Sequence, residues 1–505
     1  MIAGFFSSPR ENRPLLVVLA VFTGAVLSTL FVRMFSLSLG DLRGIFALSP
    51  AEGSWLNVAL NAAQLISMTL VPWFMVVFGA EKILISASSL LLGCCLIMSF
   101  TGADFSMPWL VMFHFLIGFS LGVYLPMTIS LALKSLKPPL WLTVMAAYSL
   151  RVSAGMDGGV SVSGTLVETA GWQWIYAISG GFAVVIIFLA QKGIARSPVN
   201  RDMLAQSDAG GMVLKCLSLV LLYTGVVQGE MLGWADSGLV IALLTGSVVT
   251  GVLFFIRASY YRQTFGDPGW LSNRNLRLCF AVACLYGVLM LPDSLFIPSF
   301  LSLVAGLKPQ QIGDVSNIAF VIYLLFSPVA IFIARRTDPR LVMMTGVVFI
   351  AAACLLGQKI DFRWQTTEFI PLMVIQSAGE CLVLIGLIAS FVVNIKPAEA
   401  LHLGAYVSVA RVLMPGLSGA MMNTYLRISY DTHSELLRTL IQTGEQKPAA
   451  GAENVIQIAA LISREAHVAS FIDGFSLTGL AVIITLVCLI FLRPAPPNPI
   501  VPSAG

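Results

Sequence analysis

The sequence predicts an all-α membrane protein of 14 transmembrane helices arranged as six, two and six. Three observations predict it. Charged residues make up only 11% of the 505 residues and hydrophobic ones 57%, whereas soluble domains carry about a quarter charged; the mean hydropathy is +0.89. Fourteen apolar stretches are each long enough to cross a bilayer as a helix, and a membrane barrel would show short alternating segments instead. One pattern also occurs twice: Lys137-Pro138-Pro139 precedes a helix with Tyr148, Ser149 and Arg151, and Lys396-Pro397 precedes one with Tyr406, Ser408 and Arg411.

In order, the spans fall at 14–36, 54–77, 83–101, 108–133, 140–165 and 174–191, giving a first half over residues 1–191. A polar turn at 192–211 ends it. Spans at 212–229 and 237–257 form an insertion within 192–276, closed by the polar connector 258–276. The second half, 277–505, has spans at 277–302, 310–334, 341–357, 369–394, 399–425 and 471–492. Its outer loop 426–470 has a Gly444, Pro448 and Gly451 middle between helix-like stretches, read either as a cap or partner surface or as an ordinary loop. The repeat joins spans four and five to spans twelve and thirteen: Lys137 to Arg151 is 14 residues and Lys396 to Arg411 is 15. Upstream glycines recur as well, Gly118 and Gly122 in span four against Gly379 and Gly386 in span twelve.

Lys and Arg are retained on the cytoplasmic side of short loops. With an inner N-terminus, 18 of the 29 Lys and Arg lie inside and 8 outside, which predicts a multi-pass protein of the cytoplasmic (inner) membrane with both termini cytoplasmic. The remaining three, Arg33, Arg151 and Arg411, fall within spans. Arg33 reads as an outer-end anchor able to snorkel. The net charge of +4 follows from this topology and implies the lipid bilayer, with no nucleic acid, as partner. The first span is longer than the apolar core of a signal peptide and is expected to stay attached. All eight cysteines sit in or at apolar spans without ligand spacing, so no metal site is expected.

Several local motifs complete the pattern. Leu48-Ser49-Pro50 and Trp55 open span two, Gly171-Trp172-Gln173-Trp174-Ile175-Tyr176 precedes span six, Arg411, Gly416 and Gly419 are spaced along span thirteen, and Asp473 and Phe475 stand at the start of span fourteen. In this order and spacing they resemble the 14-span drug/proton antiporters of the major facilitator superfamily, the EmrB/QacA-like group, along nearly the whole chain. The resemblance implies the major facilitator fold, export of small molecules and coupling to protons. It also raises a periplasmic adaptor protein and an outer-membrane channel as partners in a host with two membranes. The chain departs from the family pattern in the loop after span two, where Val76 takes the place of an aspartate. It departs again in span four, where His114 replaces an arginine and Ile117 a glutamine; in span one, where Phe31 replaces an acid; and at Gly159 to Gly164, a reduced antiporter signature without its proline. Antiport through the family's usual residues is therefore in question here.

An ionisable group at mid-depth normally faces a cavity or a partner. Arg151 and Arg411 suit an anionic or carboxylate-bearing substrate, or lock helices, with Glu380 as a partner for Arg411. Asn57, Asn61 and Gln64 recur at i, i+4 and i+7 on one face of span two and predict a cavity stripe or interhelical bonds. Tyr124 and Phe296 are candidates for an adaptable apolar wall. Asp293, between Pro292 and Pro298, with Glu380, Asp157 and His114, are the proton-coupling candidates, each with a static role as the alternative. Gly118, Gly122, Gly159 and Gly164 are read as gating or packing positions.

The sequence thus predicts a secondary transporter that exports small molecules by alternating access, by proton antiport of drugs or lipophilic compounds. A specific exporter of an anionic or siderophore-like metabolite is the second reading, and a non-transporting receptor or scaffold the third. No phosphate-cradling loop and no catalytic constellation stand out, so neither an enzyme nor a cofactor is expected.

Overall fold

The computed structural model describes residues 13–102, 105–136, 138–156, 159, 166, 169–205, 207–260, 272–395, 400–443 and 452–494. Through them run fourteen long helices, one at each predicted span. The first six are α1 (Pro14–Ile45), α2 (Pro50–Phe78), α3 (Ala80–Ser99), α4 (Met107–Ser135), α5 (Pro138–Met156) and α6 (Gln173–Gly193). Next come α7 (Ala209–Leu232) and α8 (Gly238–Tyr260). The last six are α9 (Arg274–Leu303, with a π-turn at Pro292–Phe296), α10 (Pro309–Arg336), α11 (Pro339–Gly357), α12 (Thr366–Asn394), α13 (Ala400–Thr443) and α14 (Ala452–Ile490). Twelve helices among the described residues are long and apolar enough to cross a membrane. The other two, α5 and α13, carry the repeated arginines.

Local chemistry sets several boundaries. Leu48-Ser49-Pro50 starts α2 through a reciprocal cap, in which Glu52 N donates to Ser49 Oγ at 3.2 Å and Ser49 N donates to Glu52 Oε2 at 2.8 Å. Pro50 at the first helical position loses no helix bond. Gly79, at φ +87°, turns α2 into α3, a conformation in which a side chain would be strained. Val76, at the departed aspartate position, is 41% exposed. The turn is fastened elsewhere: Asn200 N donates to Val77 O at 2.8 Å, and Arg196 pairs with the buried Glu81 at 3.4 Å.

Two boundaries differ from expectation. α1 continues nine residues past its predicted end at 36, which moves Arg33 away from the helix terminus. The outer loop 426–470 is largely helix, because α13 runs unbroken to Thr443 and α14 begins at Ala452. Its Gly/Pro-containing middle lies outside the described residues. At 1.5 Å per residue, 44 residues of α13 span about 66 Å and 39 of α14 about 58 Å, more than the roughly 40–45 Å of a whole bilayer. The projecting parts are joined by Ser429 to Asp473 at 2.6 Å, His433 to Asp473 at 2.9 Å and Tyr430 stacked on His467 at 4.2 Å.

Helices α1–α4 and α6 pack around one apolar core and α9–α14 around two adjoining ones, and α5 sends Val152 and Leu150 into the second group's core. The groups meet symmetrically: α5 packs on α10 and α12, and α13 packs on α2 and α4. The two repeated pieces thus supply the interface. α7 lies across the seam of α2 and α13, and α8 packs on α7. Gly118 and Gly122 bring α4 against α2; a Cβ on Gly118 would lie 2.0 Å from Leu60 O, and one on Gly122 2.1 Å from Ser67 Oγ. Gly379 and Gly386 bring α12 against α11 instead, so the repeated glycines serve different neighbours in the two groups.

Candidate substrate cavity

A cavity of about 260 Å³ lies between the two groups, lined from α1, α2, α4, α5, α7, α9 and α13. The repeat brings both its arginines there. Arg151 is 4% exposed; its guanidinium donates to Tyr148 Oη at 2.9 Å and to Thr29 Oγ1, and stacks 4.3 Å from the Tyr148 ring centre. Its Nε is shielded from solvent and has no partner. Arg411 stands over the same ring at 5.7 Å, near enough for the two guanidiniums to repel. Among the described residues no ion pair joins either arginine to a carboxylate. Glu380 Oε1 accepts from Gln376 Nε2 and its carboxyl lies beside that of Asp293, while among the described residues no ion pair joins it to Arg411, the partner expected from sequence.

Asn57, Asn61 and Gln64 all line this cavity. Asn61 Nδ2 donates to Asn57 Oδ1 at 2.9 Å, so two of the amides serve each other. Gln64 Nε2 is buried without a partner, a donor left over for whatever enters. Tyr286, whose hydroxyl is also unpartnered, lines the same space.

Arg411 marks a change of character along α13. Pro415 and Gly416, beyond it, line the polar cavity, whereas Leu403 and Val407, before it, line a smaller one of about 60 Å³ with Leu384, Leu387 and Phe391. That second cavity is almost wholly apolar, and Tyr286 and Arg411 belong to both. A charged head and an apolar body would therefore find matching surfaces on either side of one arginine.

Asp293 and Glu380 lie together in the second group. The π-turn holds Asp293 buried at 7% exposure with Oδ1 unpartnered, and its carboxyl meets that of Glu380. Gln376 Nε2 donates to Glu380 Oε1 at 2.7 Å and to Leu289 O at 2.8 Å, tying α12 to α9 just before the π-turn. Arg33 acts electrostatically on Asp293, and Tyr286 and Tyr323 lie within electrostatic reach of Glu380. Two carboxylates side by side repel in a poorly solvated site, and one proton between them removes that repulsion.

The other sequence candidates are placed elsewhere. Tyr124 is fully buried against Gly24 with its hydroxyl bonded to Ser88 at 2.9 Å, and Phe296 packs on Phe475 at 5.0 Å. Both sit in packed cores and neither lines the cavity, because each faces its own helical group. His114 is bonded to Leu110 O at 2.7 Å and Tyr176 Oη at 2.9 Å, beside Phe35. Phe31, at the lost acidic position, packs on Tyr176 as well. Gly159 lies 3.2 Å from Arg33 Cγ, measured from an added Cβ. Asp157 and Gly164 lie outside the described residues. Arg33, read from sequence as an anchor, lines the cavity instead; its signal was a charge in an apolar helix, misplaced by the early end assigned to span one.

The sequence model of the Major Facilitator Superfamily matches residues 21–292. Multidrug export protein EmrB of Escherichia coli (strain K12) is 21% identical over 365 residues, covering 72% of this chain and 69% of its own length. Fatty acid resistance protein FarB of Neisseria gonorrhoeae is 19% identical over 417 residues, covering 81% and 80%. Among solved structures, the proton:xylose symporter XylE superposes with a TM-score of 0.58 at 12% identity over 96% of this chain and 97% of that one.

Proposed function

Because this chain belongs to the Major Facilitator Superfamily, we propose that it is a proton-coupled secondary transporter exporting lipophilic small molecules that carry an anionic head, by alternating access and in exchange for protons. The observation that carries this reading is the Arg151–Tyr148–Arg411 stack. Two guanidiniums from repeat-related helices of opposite groups share one ring and one cavity, with no carboxylate paired to either among the described residues. Uncompensated positive charge inside a membrane protein is costly, and arginine forks match carboxylate and phosphate geometry. The apolar cavity meeting Arg411 supplies the site for the lipophilic part. EmrB and FarB, named for multidrug export and for fatty acid resistance, agree with such a substrate.

Asp293 and Glu380 are the proposed proton carriers, replacing the acid absent at Phe31 and the titratable role open to His114. In each cycle the groups rock about the cavity, α5 and α13 moving against one another with one arginine on each. The projecting ends of α13 and α14 form the surface proposed for a periplasmic adaptor, with the predicted orientation placing them outside.

The test is reconstitution into vesicles containing a pH-sensitive dye, offered a long-chain carboxylate, its methyl ester and a lipophilic cation. Export of the carboxylate with opposite proton movement supports the proposal. Proton movement with the cation alone overturns the anionic head, and protons travelling with the carboxylate overturn the exchange.

A further inference from the structure

Apart from Tyr223, which lines the arginine cavity, the two-helix insertion takes no part in the mechanism above, yet it encloses a second cavity. Behind α7, where it crosses the seam of α2 and α13, lies a space of about 280 Å³ that shares no lining residue with the arginine cavity. Its walls are mostly apolar, with Leu70 and Trp73 of α2, Leu219 of α7, Phe280 of α9, and Leu413 and Met414 of α13, and Thr69, His402 and Tyr406 add polar groups but no carboxylate.

One cation stands in this apolar space. Lys215 of α7 lines it half-buried; its Nζ donates to Tyr406 Oη at 3.1 Å, 4.2 Å from that ring's centre, and lies 5.9 Å from the ring of Phe254 on α8. No ion pair among the described residues includes it. A hydroxyl and two ring faces leave the ammonium's charge uncompensated. Trp73 adds an indole N–H that is shielded from water and has no acceptor. Donors and positive charge without any anion, beside an apolar hollow, define the complementary ligand: an anionic head on an apolar chain.

We infer that this cavity binds an anionic phospholipid from the surrounding bilayer, with the headgroup phosphate on Lys215 and an acyl chain along the α2–α13 seam. The position favours lipid as the source. Lys215 is six residues into α7, about 9 Å from the helix start, a depth from which a lysine reaches the interfacial phosphates. α8, which backs α7, has only 11% of its apolar window buried, so the insertion borders the bilayer. A lipid seated there bridges α7 to both helical groups across the seam that opens and closes.

The experiment titrates delipidated, purified protein with phosphatidylglycerol or phosphatidylcholine of identical chains and counts bound lipid by native mass spectrometry. The wild type is expected to prefer phosphatidylglycerol by roughly fivefold, the worth of one lysine at an anionic surface. Lys215→Ala should abolish the preference and Lys215→Arg should keep it, while inorganic phosphate should not displace the lipid. Equal binding of the two lipids by the wild type, or an unchanged preference in Lys215→Ala, overturns the inference. Displacement by phosphate alone overturns it too, by reducing the site to a simple anion site. None of these outcomes depends on the transported substrate.

Discussion

Arg411→Gln isolates the charge on which the proposed substrate class rests. Arg151 is bonded to Thr29 and Tyr148, so replacing it also dismantles local structure. Among the described residues Arg411 makes a more distant contact over the Tyr148 ring, at 5.7 Å, with electrostatic reach to Tyr286 and Tyr323 but no hydrogen bond or ion pair, so its removal costs the fold little. A hydrogen bond to a charged group contributes about 1.5–3 kcal/mol, which converts to a roughly 10- to 150-fold weaker dissociation constant for a carboxylate. The methyl ester of the same chain should lose much less. The assay is equilibrium binding of a fluorescent long-chain carboxylate and its ester to protein in lipid nanodiscs. Equal affinities of Arg411→Gln and wild type for the acid would refute the reasoning, as would a wild type that prefers the ester.

Three further perturbations address other parts of the structure. Asp293→Asn and Glu380→Gln should each abolish the whole of substrate-linked proton movement in dye-loaded vesicles, since one proton is shared; full proton movement in either variant rules the pair out. Gly118→Val should lower thermal stability in detergent by at least about 1–3 kcal/mol, because the first added carbon would already meet Leu60 O at 2.0 Å; an unchanged melting midpoint would contradict the close α2–α4 packing. His114→Phe should cost about 1–3 kcal/mol through the orphaned Tyr176 hydroxyl, and a loss of proton movement at unchanged stability would instead favour the coupling role.

What the sequence disclosed depended on the range over which each signal acts. Hydropathy is local, and twelve of the fourteen predicted spans fall on helices long and apolar enough to cross a membrane; the repeat is also local within each copy, and it marked the two pieces that form the interface. Arg151, Arg411, Asn57, Asn61 and Gln64 were legible as cavity residues because polar groups in apolar helices have few places to go. Tyr124 and Phe296 were misplaced because an aromatic residue suits a core as well as a cavity, and only the neighbouring helices decide. Arg33 was misread because a helix end is weakly encoded where apolar residues continue into a polar stretch. The pairing of Asp293 with Glu380 joins α9 to α12 across 87 residues, a contact no spacing rule reaches. The helical character of the stretches flanking the middle of 426–470 was legible, whereas their continuity with α13 and α14 was not, because the polar composition beyond the bilayer carries no span signal.

In the proposed alternating-access cycle, the placement of one arginine in each group ties substrate binding to the motion itself. In that cycle Arg151 travels with α1–α6 and Arg411 with α9–α14, so their mutual repulsion opposes approach of the groups whenever the cavity is empty. Like charges in a poorly solvated site interact far more strongly than in water. An anion between them converts that repulsion into two attractions, and therefore favours the arrangement in which the groups close around it. Spin labels at Leu37 on α1 and Met421 on α13, both exposed positions, report the separation directly. A saturating long-chain carboxylate should shift their distance distribution towards shorter values, and Arg411→Gln should remove the shift. If the distributions with and without the carboxylate coincide in the wild type, the arginines do not govern closure, and their charge acts on affinity alone.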